Sequence, residues 1–296
     1  MTKHILVTGG AGQVGQSIRA LGSDSLVVHA PDRERLDLMS DASIHKAISS
    51  RQWDAVINAA AYTAVDKAEN EKDIAWRVNA VAPGILAQAC AQAQVPLIHL
   101  STDYVFSGEL ERPYVEDDPV GPINVYGASK EEGERAVRSV CEYHIIIRTS
   151  WVVSAWRSNF LKTMLRLSDE RDELRVVSDQ RGRPTSAHDL AESLVSIAEQ
   201  LPDRANASFG TFHYANQGAT NWAEFAREII RIHCAYGGRD IAVIPIATTD
   251  YPTPAKRPQN SVLSTDKIEA AFGLHIRPWQ DATRDIVAKL ARKESP

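Results

Sequence analysis

The sequence predicts an α/β fold with a doubly wound parallel sheet and a smaller C-terminal lobe. In its first half, short β-branched runs alternate with longer helical stretches, a pattern that forms a parallel sheet covered by helices on both faces. The chain has 296 residues, more than the roughly 100–200 typical of one domain. Its second half is less regular and has proline-rich segments at 182–187 and 251–260, which suit ordered loops beside a cleft.

The first half supplies the main domain, expected over residues 1–150. Strands are predicted at its five apolar runs, 4–9, 26–30, 55–60, 97–101 and 144–150. The stretch 64–94 is rich in Ala, Glu, Lys and Gln and is therefore predicted to be largely helical. A second helix is predicted at 124–140.

The second half, residues 151–296, is expected to be mainly a substrate-binding lobe. Helical patterns recur near 158–171, 187–200, 221–236 and 279–293, and strand-like runs at 175–179, 210–215 and 241–247. The elements between about 187 and 215 can return to the main sheet, so the first domain is expected to receive them.

Composition and charge exclude several classes of function. The net charge is −5 and the basic residues are dispersed, so nucleic acid is not an expected partner. The N-terminus begins a strand at once, without the sections of a signal peptide, and no apolar run is long enough to span a bilayer. We expect a cytoplasmic protein. Its three cysteines are far apart, which predicts neither disulfides nor a metal site.

A glycine pattern follows the first predicted strand. Gly9, Gly12 and Gly15 form G-x-x-G-x-x-G and open the first helix. Glycines at this spacing allow a tight turn, close approach of a pyrophosphate and close packing of helix on strand. The alternative is a glycine-rich turn without a ligand. In its strand–turn–helix context, the pattern predicts a Rossmann-type, dinucleotide-binding sheet.

Charged residues follow the second strand, where such folds bind the adenine ribose. Asp32 and Asp37 can bind the ribose hydroxyls of NAD, whereas Arg33 and Arg35 can pair with the 2′-phosphate of NADP. The alternative for each residue is a solvated charged loop. We expect NADPH, with NADH possible.

Tyr126 and Lys130 are the predicted catalytic pair. Their Y-x-x-x-K spacing places both side chains on one face of a helix. A free tyrosine has a pKa of roughly 10, so a nearby ammonium is needed to stabilise its phenolate near neutral pH. The lysine can also hold the nicotinamide ribose. Alone, this spacing is more often an exposed helix face.

Ser101, Thr102 and Asp103 lie just after the fourth strand, where parallel sheets bind their ligands. A hydroxyl there can hold a substrate carbonyl. The alternative is that Thr102 and Asp103 only cap the following loop.

Motifs along nearly the whole chain resemble the dTDP-4-dehydrorhamnose reductase family, which belongs to the extended short-chain dehydrogenase/reductase superfamily. The motifs are the glycine turn, NAAAYTAVDKAE (58–69), STDYVF (101–106), VYGASK (125–130), RTSW (148–151), DQRGRPT (179–185) and YPTPAKRPQNSVL (251–263). The first motifs in this order are common to the superfamily, and the final one, at 251–263, is specific to the reductases.

The resemblance implies reduction of the C4 keto group of dTDP-4-dehydro-L-rhamnose, the last step of dTDP-rhamnose synthesis. Tyr126 would donate the proton, Lys130 would lower the tyrosine pKa and Thr102 would polarise the carbonyl. Asp103 and Trp151 match positions that contact substrate, although a strand-end tryptophan is more often packing. Arg257 can meet the diphosphate or form a structural salt bridge.

The expected cofactor contacts combine these arguments with the resemblance. They are Gly9, Gly10, Ala11, Gly12, Gln13, Val14, Gly15, Asp32, Arg33, Asp37, Leu38, Ala61, Tyr62, Thr63, Tyr126 and Lys130.

One departure from the family concerns oligomerisation. Some members dimerise around magnesium held by glutamates, and the matching positions here are Ser17 and His188. We therefore expect a monomer or a metal-independent homodimer.

Two other functions share part of this pattern. A sugar-nucleotide epimerase or dehydratase of the superfamily would keep the glycine turn and Y-x-x-x-K but recycle its oxidised cofactor, and the 251–263 motif argues against it. A non-catalytic, NADP-binding regulatory subunit is the third candidate. The presence of Thr102, Tyr126 and Lys130 favours catalysis.

Overall fold

A computed structural model describes residues 2–201 and 203–294. In the first half, strands and helices alternate as predicted. They are β1 (Lys3–Thr8), α1 (Gln13–Arg19), β2 (Leu26–His29), α2 (Asp41–Ser49), β3 (Ala55–Asn58), α3 (Val65–Ala68), α4 (Lys72–Trp76), a π-helix (Arg77–Val81), α5 (Ala82–Gln92), β4 (Leu97–Thr102), a 3₁₀ turn (Asp103–Val105), α6 (Val125–Val140) and β5 (His144–Thr149).

The second half contains longer helices and several very short strands. They are β6 (Val152–Val153), α7 (Phe160–Glu170), β7 (Glu173–Val177), β8 (Arg181–Gly182), β9 (Thr185–Ser186), α8 (Ala187–Gln200), β10 (Gly210–Tyr214), β11 (Thr220–Asn221), α9 (Trp222–Cys234), β12 (Ala242–Ile246), a 3₁₀ turn (Thr248–Asp250), α10 (Asp266–Phe272) and α11 (Trp279–Glu294).

The central sheet has six parallel strands in the order β10-β5-β4-β3-β1-β2. The chain passes from β1 to β2 on one side and returns to β3 on the other, so the strand order reverses between β1 and β3. In open parallel sheets, ligands bind beyond the carboxyl ends of the strands at such a reversal. The predicted doubly wound parallel sheet is confirmed.

Alternate residues of the strands enter two separate cores, one on each face of the sheet. Ile5 and Val7 of β1 pack in the core that contains α1, α8 and α10. Leu6, between them, packs in the core that contains α2, α5 and α6. Burial on both faces explains why these strands are continuously apolar in sequence.

A third core lies within the C-terminal residues. It joins α7, α9 and α11 to the parallel pair β7 and β12, with Phe225 among its fully buried side chains. Short pairings connect further segments of this part of the molecule, among them β6 with β9, β8 with β11, and Tyr114 with Leu263. Within the described residues, no helix is both long and apolar enough to cross a membrane.

Candidate active site

The glycine turn lies between the carboxyl ends of β1 and β3. Gly9 has φ +71°, and a Cβ there would lie 2.8 Å from the backbone of Ala60. A Cβ on Gly15 would lie 2.3 Å from the Gly9 carbonyl oxygen. Only glycine fits at these two positions, one because of backbone angle and contact and the other because helix and turn touch. The turn is therefore tight and packs directly on the segment after β3 and on α1.

The other predicted turn residues divide by what their side chains contact. Gly12 precedes α1 and its N–H donates to the Gly9 carbonyl at 2.8 Å. Ala11 is exposed at the turn, whereas Val14 packs into the core. The Gln13 side chain points to the C-terminal residues and bonds Val152, Ser154 and Asn159. Only the backbone of Gln13 is thus left to face a phosphate.

A buried polar chain supports this turn from below. The Thr8 hydroxyl donates to the Asn58 side-chain oxygen at 2.5 Å and accepts from the Ala60 N–H at 3.3 Å. The Asn58 amide donates to Nδ1 of His99 at 2.9 Å. Burial holds the pKa of His99 well below its usual value, so this ring is neutral. These hydrogen bonds connect three neighbouring strands, β1, β3 and β4.

The segment Ala61, Tyr62 and Thr63 leaves β3 beside this turn. The Tyr62 N–H donates to the Asn79 side-chain oxygen at 2.8 Å, and the Asn79 amide donates to the Tyr62 carbonyl and to the Ser129 hydroxyl, both at 3.0 Å. Because Ser129 belongs to α6, Asn79 ties the predicted cofactor segment to the helix that carries Tyr126 and Lys130.

Helix α6 positions the predicted catalytic pair. Its N-cap is Asn124, whose side chain accepts from the Gly127 N–H at 2.7 Å, as is typical of helix starts. Lys130 is 1% exposed and its ammonium donates to the Leu100 carbonyl of β4 at 2.6 Å. The helix therefore lies against the strand that ends in Thr102.

The environment sets the protonation of both groups. Burial lowers the pKa of Lys130 to about 8, although the charge of Glu134 opposes the effect. Burial raises the pKa of Tyr126 to about 12, while a hydrogen bond with Thr102 opposes it. At neutral pH the phenol is consequently protonated and the amine is charged. The pKa of Tyr126 is thus raised, and Lys130 is not among the groups that lower it; the effect of Lys130 on the tyrosine stays a prediction.

Thr102 and Asp103 lie at the end of β4, next to Tyr126. The Thr102 hydroxyl donates to an Asp103 carboxylate oxygen at 3.0 Å and accepts from the Tyr104 N–H at 3.2 Å. The loop-capping contact considered from the sequence is therefore present. Asp103 is 2% exposed, and its second oxygen has no hydrogen-bond partner among the described residues. Burial raises the pKa of this carboxyl to about 7.

Trp151 follows β5 in a left-handed backbone conformation, with φ +46°. Its indole stacks on Trp222, with ring centroids 3.5 Å apart and planes 11° apart. A Cβ on Gly182 would lie 2.5 Å from the indole, so the ring is held closely by both neighbours. Positive φ is costly for a non-glycine residue and is commonest at functional sites.

The loop at 251–263 lies beside the start of α6. Arg257 makes a two-point ion pair with Asp66 of α3, at 2.6 and 2.7 Å. The Asn124 amide donates to the Lys256 carbonyl at 2.8 Å. The salt bridge that was the alternative for Arg257 is thus formed, in the loop that contacts the start of the helix carrying Tyr126 and Lys130.

The charged loop after β2 is solvent-exposed. Arg33, with its side chain 80% exposed, lies 3.5 Å from Asp37. An Asp32 carboxylate oxygen accepts from the Arg35 N–H. Leu38, in contrast, packs in the core beneath the loop. Arg33 is therefore accessible to an anion, while the Leu38 side chain is not available for direct contact.

Comparison with known proteins decides the family. The family model described as RmlD substrate binding domain matches residues 2–292. The chain belongs to this family. A dTDP-4-dehydrorhamnose reductase of Sinorhizobium fredii is 43% identical over 285 residues, covering 96% of each chain.

Solved structures of the RmlD family agree. A dTDP-4-dehydrorhamnose reductase of Clostridium acetobutylicum has a TM-score of 0.90 and 37% identity, covering 97% of this chain and 99% of that one. The Bacillus anthracis enzyme, solved in complex with NADP, also has a TM-score of 0.90, with 31% identity and coverage of 98% and 100%.

Some residues of this RmlD-family site were not predicted from the sequence. Thr8, Asn58 and Asn79 form the supports described above, and Trp222 and Gly182 hold Trp151. Polar residues at the ends of successive strands were a usable signal for Thr8 and Asn58. No sequence pattern pointed to Asn79, which lies in the π-helix. The functional roles of the predicted residues stay predictions.

Proposed function

We propose that the protein reduces the C4 keto group of dTDP-4-dehydro-L-rhamnose to give dTDP-L-rhamnose, using NADPH, with NADH as a possible substitute. One observation carries the proposal: Tyr126 hydrogen-bonds Thr102 at the edge of the sheet where the tight glycine turn follows β1. Family membership and the named activities of full-length relatives support the choice of substrate.

The residues present fit a bound dinucleotide. The turn at Gly9 and Gly15 packs so closely on the backbone of Ala60 and of Gly9 that only glycine fits, as in a tight phosphate-binding turn, and Asn79 fixes the segment that would lie along the cofactor. When bound, NADPH supplies the hydride. The exposure of Arg33 after β2 supports NADPH, because an arginine there can pair with a 2′-phosphate.

The chain's own groups handle the oxygen of the carbonyl. The Thr102 hydroxyl gives up its hydrogen bond to Asp103 and donates to this oxygen instead, which polarises the C4 carbon. As C4 is reduced, the Tyr126 phenol gives its proton to the same oxygen, which becomes the product hydroxyl. The Lys130 ammonium, one helical turn away, stabilises the phenolate that remains. Water then restores the phenol proton.

The deciding experiment follows NADPH oxidation when dTDP-4-dehydro-L-rhamnose is supplied by the two preceding pathway enzymes. Loss of NADPH absorbance that depends on this protein and on the sugar is expected, and a parallel assay with NADH measures cofactor preference. No absorbance loss at saturating protein rejects the proposal. An epimerase or dehydratase would convert a sugar nucleotide without net oxidation, and a regulatory subunit would only bind NADP.

We also propose that the protein is a monomer or a metal-independent homodimer. Ser17 is buried and its hydroxyl donates to the Gln13 carbonyl at 3.0 Å, while His188 lies 3.6 Å from Glu192. Neither position offers the carboxylate that a magnesium bridge uses. Light scattering with and without EDTA tests this, because a dimer that dissociates on chelation contradicts it.

The cytoplasmic location, the absence of nucleic-acid binding and the division near residue 150 stay predictions.

A further inference from the structure

The side chain of Gln13 connects two parts of the site that are far apart in sequence. Its amide nitrogen donates to the Val152 carbonyl at 3.2 Å. Its amide oxygen accepts from the Ser154 hydroxyl at 2.7 Å and from the Asn159 amide at 2.9 Å. All three hydrogen bonds of the Gln13 side chain therefore connect the glycine turn to the segment 152–159, which directly follows Trp151.

This segment does not need Gln13 to keep its local shape. The Ser154 hydroxyl accepts from the Trp156 N–H at 3.1 Å, and its single proton can go to the Trp156 carbonyl at 2.9 Å in place of the Gln13 amide oxygen. The Asn159 amide also donates to the Ser154 carbonyl at 2.8 Å, and its side-chain oxygen caps α7 by accepting from Lys162. Gln13 thus adds no partner that the loop lacks. It fixes where the loop lies relative to the turn.

The segment leads on to Trp151 through direct contacts. Phe160 begins α7 immediately after Asn159 and contacts Trp222 at 4.6 Å between ring centroids. Trp222 is the ring on which Trp151 stacks. Trp151 and Arg157 are two of the three non-glycine residues with positive φ in the described chain. Such backbone persists only when its surroundings hold it in place.

We propose that Gln13 is a positioning residue that couples the cofactor turn to the substrate-recognition segment 151–159. Ordering of the turn by a dinucleotide then orders this segment through the Gln13 amide. The consequence for substrate binding rests on the proposed function, because it assumes that Trp151 contacts the sugar nucleotide. The coupling between the glycine turn and the segment 151–159 does not rest on the proposed function.

The first test uses NADP⁺ alone and needs no sugar substrate. Hydrogen exchange of residues 151–159 is measured with and without saturating NADP⁺. We expect NADP⁺ to slow exchange there by about fivefold or more in the wild type, in the range of ordinary coupling between sites. In Gln13→Met, which keeps the side-chain length but loses its polar atoms, the slowing should fall to less than about twofold.

A matched control is available one helical turn away. Gln16 is on the same helix, and its side-chain amide bonds only the Ala11 carbonyl within the turn, at 2.9 Å. Gln16→Met should behave as the wild type. Gln13→Leu removes the same three hydrogen bonds with a different apolar side chain and should reproduce the Gln13→Met result, which covers the case in which Gln13→Met folds poorly. Wild-type protection that is absent, or that persists in both Gln13→Met and Gln13→Leu, overturns the proposal.

The second test measures the consequence for the sugar nucleotide. In a Tyr126→Phe background, which blocks turnover, the Kd of dTDP-L-rhamnose is compared with and without NADP⁺. The ratio of the two Kd values should be about fivefold or more and should approach one with Gln13→Met. If dTDP-L-rhamnose does not bind at all, the proposed substrate is wrong while the exchange result stands. An unchanged ratio rejects the consequence for substrate alone.

Discussion

The N-terminal half and the C-terminal segments hold their site residues in different ways. Thr102, Tyr126 and Lys130 sit on a strand end and a long helix, backed by cores on both faces of the sheet. Trp151 and Arg257 sit on loops and are positioned by a ring stack and a single ion pair. The proposed function would thus place the groups that meet the reacting atom on rigid elements and the groups that recognise the rest of the substrate on loops.

This difference predicts how substitutions should act. Changes in the rigid group should reduce kcat, because geometry for the chemical step is lost. Changes in the loop group should raise KM and leave kcat nearly unaltered. A variant of Trp151 or Arg257 with a large effect on kcat would contradict this division between the two groups of residues.

The largest effect is expected for Tyr126→Phe. The phenylalanine keeps the ring and loses the proton donor, so turnover should fall by a factor on the order of 100 or more while NADPH binding is retained. Steady-state kinetics and calorimetry with NADPH measure the two. Tyr236→Phe, at an exposed tyrosine in the C-terminal half, serves as the control. Unchanged turnover in Tyr126→Phe would place the proton donor elsewhere.

The second effect is a pH dependence from Lys130. Because burial lowers its pKa to about 8, the ammonium is present below this pH and is lost above it. Since kcat/KM reports groups of the free enzyme, it should decline above about pH 8, approaching tenfold per unit. A profile that stays flat up to about pH 10 would show that the charge on Lys130 is not needed.

Arg257→Gln tests the loop group. We expect KM for the sugar nucleotide to rise by about tenfold, as a charge-assisted contact with the diphosphate is lost, with kcat changing less than about threefold. Arg166→Gln breaks an exposed ion pair with Glu170 on α7 and should leave both constants unchanged. A lower Tm with an unaltered KM would mean that the Asp66–Arg257 pair is purely structural.

The smallest effect concerns stability. Burial raises the pKa of Asp103 to about 7, so ionising this carboxyl costs stability that is absent below about pH 4 and grows until about pH 7. Asp103→Asn should therefore raise Tm by a few degrees at pH 8, about 1 kcal/mol net since the new amide also lacks a partner, and by less at pH 5. An equal rise in Tm at pH 5 and pH 8 would show that ionisation of the Asp103 carboxyl does not reduce stability.

The sequence predicted the sheet better than the short elements. The five apolar runs of the first half became strands within about two residues of the predicted bounds, because burial on both faces demands continuous apolar residues. Helices α2 and α10 were not predicted, and the helical stretch at 64–94 is divided by a π-helix. The two-residue strands exist only because tertiary contacts supply their partners, which no local pattern records.

The same limit applies to the site. The glycine turn and the α6 pair have fixed spacings and local causes, so their placement could be foreseen. Asn79 and the Gln13 side chain act across long separations in sequence. Their contacts depend on how β3, α6 and the segment after β5 are arranged in space, and this arrangement is not encoded in any short motif.

The sixth strand of the sheet has a consequence for synthesis on the ribosome. Strand β10 begins at Gly210, long after its neighbour β5 ends at Thr149. Until it emerges, β5 presents an open edge, and Ile145 and Ile147 lack the cover of α8. Open edges and uncovered apolar faces promote aggregation. A nascent chain arrested near residue 150 should therefore require a chaperone to prevent aggregation, even though Tyr126 and Lys130 have already been synthesised.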